Sequence, residues 1–177
     1  MSDNRAPIVS LDLTACAADG EPLWLTVAPS IETVRVQASD LAEAQSIRTR
    51  LRKDHVAAGH GVDSIAVVVD VRVHISVDAR TARKELAAAP VCSENSLHYV
   101  GTAAGLAGLI SDMKAAAVAD GVTILPIVTQ ECAAVVERII DDVLPRLETC
   151  GSVANSAAVE SAFRVVGAAG RNVLLGA

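Results

Sequence analysis

His74 is the side chain best suited to acid–base work near neutral pH. It sits in Ile65 to Val77, IAVVVDVRVHISV, with Asp70 and Arg72 on the same side of an alternating run. A general acid–base role for His74 is one reading. A satisfied structural histidine is the competing one. Asp70 and Arg72 read as an ion pair beside it. Cys16 would need a base at hand to act as a nucleophile, and none is readable nearby. Cys16, Cys92, Cys132 and Cys150 form no CxxC pair and have no histidine at metal-ligand spacing. They read as cytosolic thiols, mostly buried, and no metal site is expected. There is no GxGxxG and no Walker loop.

The elements that position these groups follow from periodicity. Residues 7–15, 33–37, 65–77 and 122–128 read as strands. Residues 23–28 suit a short helix or a strand. Asp40 caps a helix in which Leu41, Ala44, Ile47 and Leu51 share a face, with Glu43 completing a capping box. The run Arg48 to Lys53, RTRLRK, reads as a solvated helix end, where the dipole favours cations. Asp78 caps a second helix to about Ala89, and 89–97 reads as a loop. Thr102 caps a third, with Leu106, Leu109, Ile110, Met113 and Ala117 as its stripe. Gly105 and Gly108 weaken it and suggest close packing. Asp120-Gly121 reads as a turn. Thr129 caps a fourth helix that buries Cys132, Val135, Val136, Ile139, Ile140, Val143 and Leu147, with Pro145 distorting its last turn. The expected fold class is α/β, with about four βα units, a parallel sheet and outer helices. Residues 1–150 form the domain, and 151–177 a tail with a possible short helix near 157–166.

Bulk properties narrow the function. The chain has 177 residues, 51% of them hydrophobic, so one domain with a sizeable core is expected. A net charge of -6 argues against nucleic acid or an anionic membrane as partner. Phe163, Trp24 and Tyr99 offer no base-stacking platform. No apolar run has spanning length, and MSDNRAPIVS has no signal-peptide pattern, so a cytoplasmic location is expected.

Three stretches together resemble the luciferase-like flavin-dependent monooxygenases. They are YVGTAAGLAGLISDM leading through Asp120-Gly121 into VTILPIV and VVERIIDDVLPRLE; the capped helix running into AAGHGVDSI; and VHISVDARTARKELAAA. AFRVVGAAGRNVLLG is similar to the tail of the nitrilotriacetate-monooxygenase branch. The resemblance implies the later part of a (β/α)8 barrel with an FMN or deazaflavin cofactor. Where the family has Gly-Arg-x-Pro, this chain has His60 and Val62. Of the family's phosphate-side turn only Thr14, Cys16 and Gly20 remain as loose stand-ins. A full barrel needs about 250 residues, so a second chain supplying the N-terminal half, or self-association, is implied.

In such barrels the chemistry lies at the C-terminal strand ends. That rule selects Asp12 and Thr14, Gln37 and Ser39, His74 and Ser76, and Thr129 and Gln130. Asp12, Thr14 and Ser39 are the expected cofactor-binding residues and His74 the expected catalytic one. Hydroxyls at helix N-termini suit a flavin phosphate; the competing reading of Ser39, Thr102 and Thr129 is as helix caps. Two functions stand side by side: an oxidoreductase unit acting on a small molecule, and a non-catalytic partner subunit or binding module. An unrelated open α/β sheet is a third.

Overall fold

The computed structural model describes residues 6–14, 22–26, 30–87, 96–127 and 132–175. Cys16, Cys92, Thr129 and Gln130 lie outside them.

The first half holds β1 (Ile8–Leu11), β2 (Leu23–Trp24), β3 (Glu32–Val36), α1 (Leu41–Ala57) and β4 (Ile65–Ile75). The second holds α2 (Ala79–Ala87), β5 (Leu97–Gly101), α3 (Ala103–Ala115) and β6 (Gly121–Pro126). Then α4 (Cys132–Arg138) runs through a π-helical turn (Ile139–Val143) into α5 (Leu144–Glu148), and α6 (Ser156–Leu175) follows. The strand β5 begins at the last residue of the expected loop, in a stretch where no strand was expected. The last helix is longer than the short one expected and packs on α4 and β2.

Caps set the helix starts as the sequence suggests. Asp40 Oδ1 accepts from Glu43 N, Thr102 Oγ1 from Gly105 N, and Asp78 Oδ1 from Arg80 N and Thr81 N. The capping box differs in detail. Glu43 reaches back one residue further, accepting from Ser39 N and Ser39 Oγ at 2.7 and 2.6 Å. Pro145 has no N–H to give to a carbonyl one turn back. The preceding turn widens, and Leu144 N donates to Ile139 O, five residues back.

The long strand β4 organises the sheet. Along one edge it pairs in parallel with β3 through 65–69 and with β5 through 71–75; along the other it pairs with β6 through 68–73. Next come β1, parallel to β6, and β2, antiparallel to β1. The result is a mixed sheet of six strands. β4 thus lies beside β6 as well as β5, which departs from the strictly sequential order of a closed barrel. Gly121 belongs to the strand rather than to a turn. A Cβ there would run into the Ile8 carbonyl, so the β1–β6 pairing requires glycine.

The odd residues of β4, Val69 to Ile75, face the main core with Val9, Leu11, Val122 and Ile124. Leu106, Ile110, Val135, Val136 and Ile139 cover that face from the helices. The even face of β4 is also buried, including Asp70 and His74. Gly105 makes room for Tyr99, whose hydroxyl donates to Thr102 O at 2.9 Å; Gly108 faces open space and marks no close packing.

Helix α1 overturns two expectations. Leu41 is 41% exposed, while Arg48 is buried beside Ala44. Arg48 and Arg52 turn inward to Asp120, so RTRLRK is not a purely solvated end. The attraction of a buried carboxylate outweighs the solvation that a surface arginine would keep.

Candidate functional site

Side chains alternate along a strand, and the even face of β4 continues onto its neighbours. Register sets Ser10 beside Thr123 and Thr123 beside Asp70, and Ser10 Oγ donates to Thr123 Oγ1 at 2.9 Å. On β3, Arg35 lies in register with Val68 on that face. Its Nε donates to Asp70 Oδ1 at 2.5 Å and its Nη2 to Asp70 Oδ2 at 3.1 Å. Gln37 Nε2 adds a bond to Asp70 Oδ2 at 3.3 Å. The third arm, Arg35 Nη1, lies 2.7 Å from Asp12 Oδ2.

That last contact reports the sheet's shape. Asp12 follows β1, and β6 and β4 stand between β1 and β3. Three strand spacings in a flat sheet amount to about 14 Å. A guanidinium can close that distance only if the sheet curls toward its polar face. The concave wall therefore carries two buried carboxylates joined by one half-exposed arginine.

The electrostatics follow. Burial opposes ionisation of Asp12, but the Thr14 hydroxyl, the Thr14 N–H and Arg35 outweigh it, and its carboxyl is held below its ordinary value. Arg35 is pushed above its ordinary value, chiefly by its bond to Asp70, against the cost of burial.

A second group sits near the end of β4. His74 is 1% exposed, and its Nε2 lies 2.9 Å from Glu85 Oε2 on α2. Ser76 Oγ donates to Glu85 Oε1 at 3.1 Å. One carboxylate fixes both groups, and a neutral ring held this way carries its proton on Nε2. Its Nδ1 is buried without a hydrogen-bond partner among the described residues.

The structure thus joins Asp12 to Thr14 but directs Ser39 to Glu43 and His74 to Glu85. Asp70 pairs with Arg35 and Gln37, which corrects the expected Asp70–Arg72 pair. Residues i and i+2 of a strand are one pleat apart, whereas Arg35 crosses directly from the next strand. Arg35 and Glu85 were missed. The signal for Arg35 is its place between Val34 and Val36, which sets a charged side chain on the opposite face of the strand from those two valines.

Solved structures of similar shape bear on the fold. The chain superposes on DmoA from Hyphomicrobium sulfonivorans with a TM-score of 0.55 and 14% identity, over 70% of this chain and 38% of that one. For the riboflavin lyase RcaE the values are 0.56 and 17%, over 70% and 40%. For the EDTA monooxygenase EmoA from Chelativorans sp. BNC1 they are 0.55 and 14%, over 68% and 40%. By name, one of these neighbours is a lyase, solved with a modified FMN, and one a monooxygenase. The likeness is one of fold. The chain spans about 40% of the length of these structures. No family model and no curated protein matches the sequence. Among the described residues, no helix is long and apolar enough to cross a membrane.

The RcaE structure holds a modified FMN, and a flavin phosphate needs free donors. The described residues do not fit it. Thr14 Oγ1 donates to Asp12, Ser39 Oγ donates to Glu43, and Arg35 is shared by Asp12 and Asp70. A phosphate placed on this wall would meet two carboxylates for one guanidinium. What the wall offers instead is carboxylate acceptors for hydroxyl or amine donors, oriented by Arg35.

Proposed function

We propose that this chain is a half-barrel subunit, of about four βα units, in a luciferase-like oxidoreductase assembly of the cytoplasm. A second chain or a second copy carries most of the groups that hold the flavin, FMN or deazaflavin. This subunit supplies the acidic wall of Asp12, Arg35 and Asp70, which orients a polar small molecule beside the cofactor; His74, held by Glu85, is the candidate proton-handling group. The Arg35–Asp12 contact across three strand spacings carries the reading, because it gives the chain the curvature of a barrel wall. Closing the barrel hides the open edges of the sheet.

The chain on its own is expected to show no saturable quenching of FMN fluorescence. Co-purified with its completing chain, it is expected to carry near-stoichiometric flavin, read as absorbance across a gel-filtration peak. Stoichiometric flavin on the isolated monomer would overturn the division of labour.

A second reading is a non-catalytic partner module. The engagement of Thr14, Ser39 and Arg35 within the chain favours it. Under that reading the assembly forms, but Asp70→Asn leaves its turnover unchanged.

A further inference from the structure

A cavity of about 200 Å³ lies beneath the N-terminal ends of the parallel strands. Ile8, Ile31, Ile65 and Ala66 line its apolar part. Ile8, Ala66 and Ile31 also pack in a small hydrophobic cluster apart from the main core. Two buried hydroxyl residues, Thr26 and Ser152, border the same space.

The start of β1 holds both hydroxyls. Val9 N donates to Thr26 Oγ1 at 2.9 Å, and Ser152 Oγ donates to Pro7 O at 3.2 Å. Pro7 and Val9 are one pleat apart, so these backbone groups face the same side. A bridge between Thr26 and Ala154 ties the two stretches together. The hydroxyls are left with opposite needs, because each carries one donor and two acceptor lone pairs. Thr26 accepts, and its proton has no acceptor among the described residues. Ser152 has given its proton and can still accept.

The charged side of the cavity is already engaged. Asp120 accepts from Arg52 Nη2 at 3.0 Å and Lys114 Nζ at 3.3 Å, and Arg52 Nη1 lies 3.9 Å from Asp63. An anion would have to compete with these carboxylates, whereas a neutral ligand displaces nothing.

We propose that this basal cavity binds a small neutral alcohol with a compact apolar body. The ligand hydroxyl accepts from Thr26 and donates to Ser152, and Ile8, Ile31, Ile65 and Ala66 enclose the body. Size supports the class: a cavity of about 150 Å³ accepts benzene, so this one accepts a ring plus a hydroxymethyl group. Asp12 and Asp70 lie four residues further along than Ile8 and Ala66, about 13 Å away. The site therefore stands or falls independently of the oxidoreductase reading.

Benzyl alcohol is the probe, titrated into the full chain and followed by amide chemical shifts in heteronuclear NMR. The expected result is saturable 1:1 binding with shifts centred on Ile8, Ala66 and Ser152, unchanged by added sodium chloride. Benzoate, the same body with a charge, should bind more weakly. Thr26→Val should weaken benzyl alcohol about three- to tenfold while leaving the affinity for toluene, which has no hydroxyl, unchanged. Ile31→Trp fills the apolar part without touching either hydroxyl and should abolish binding in a folded protein, so it decides the matter if Thr26→Val does not fold. No saturable shift with benzyl alcohol, benzoate bound at least as tightly, or benzyl alcohol bound by either folded variant as tightly as by the wild type would overturn the proposal.

Discussion

The two ends of the sheet solve the problem of buried charge in opposite ways. At the N-terminal end, one carboxylate, Asp120, gathers Arg48, Arg52 and Lys114. On the concave wall, one guanidinium, Arg35, gathers Asp12 and Asp70. Both clusters join elements distant in sequence, and both desolvate their central group. They differ in what remains when that centre is removed. An arginine cannot shed its proton in a protein, whereas a carboxylate stranded in a dry site can take one up and become neutral. The basal cluster is therefore the brittle one, suited to holding the fold. The wall can change its charge state, which suits a surface that meets a ligand.

The largest expected effect follows from that asymmetry. Asp120→Asn takes away the carboxylate that Arg48, Arg52 and Lys114 share at 11%, 14% and 10% side-chain exposure, while Arg52 keeps Asp63 at 3.9 Å. Breaking a buried ionic cluster from its centre costs about 3–5 kcal/mol. Urea unfolding monitored by far-ultraviolet dichroism measures it. A loss under about 1 kcal/mol would mean that water reaches the cluster freely, and the contrast between the two ends would collapse.

Arg35→Met tests the other end and should cost less, about 1–3 kcal/mol. Its side chain is 36% exposed, so solvent already screens the pairs, and Asp12, once Arg35 no longer holds its carboxyl down, can escape by protonation. The cost should therefore shrink when the variant and wild type are compared at pH 5 rather than pH 7. A cost equal to that of Asp120→Asn at both pH values would show that the wall is as rigidly dry as the base.

How much of this was legible in the sequence divides along the same line. Local chemistry was readable. Asp40, Asp78 and Thr102 cap helices because their oxygens meet N–H groups two or three residues on, and that spacing is visible in the chain. The buried stripe through Val135, Val136 and Ile139 was readable for the same reason. The pairings of Arg48 with Asp120, 72 residues away, and of Arg35 with Asp70, 35 away, leave no local period. Arg48 looked like a solvated cation because the last turn of a helix favours cations whatever they touch. The strand β5 was hidden because LHYVG carries a histidine between apolar residues and directly follows a loop; its pairing with β4 decides its state. Curvature left no period in the chain, since it depends on which strands adjoin, and β6 lies between β1 and β4; only the resemblance to a (β/α)8 barrel implied it.

The smallest effect sharpens the comparison through pH. Asp120 and Asp12 are both held below the ordinary carboxylate value. For Asp120, burial acts against ionisation, and the bonds from Arg48 and Val67 N with the charges of Arg48 and Arg52 outweigh it. For Asp12, burial is outweighed by Thr14 and Arg35. With the folded value lower than the unfolded one, the unfolded chain takes up protons first as the medium is acidified. Each group thus adds stability that is complete above about pH 4 and is lost as pH falls through the lowered folded value. Asp120→Asn should flatten most of the acid limb of a stability–pH curve. Thr14→Val removes the hydroxyl bond to Asp12 and moves that carboxyl back toward its ordinary value. It should cost no more than about 0.5 kcal/mol at pH 7, since the site is part-exposed and screened. Carbon-detected NMR of the Asp12 carboxyl gives the direct readout: an upward shift in Thr14→Val places the hydroxyl bond among the forces that keep the wall acidic. An unmoved titration would assign that task to the Thr14 N–H and Arg35.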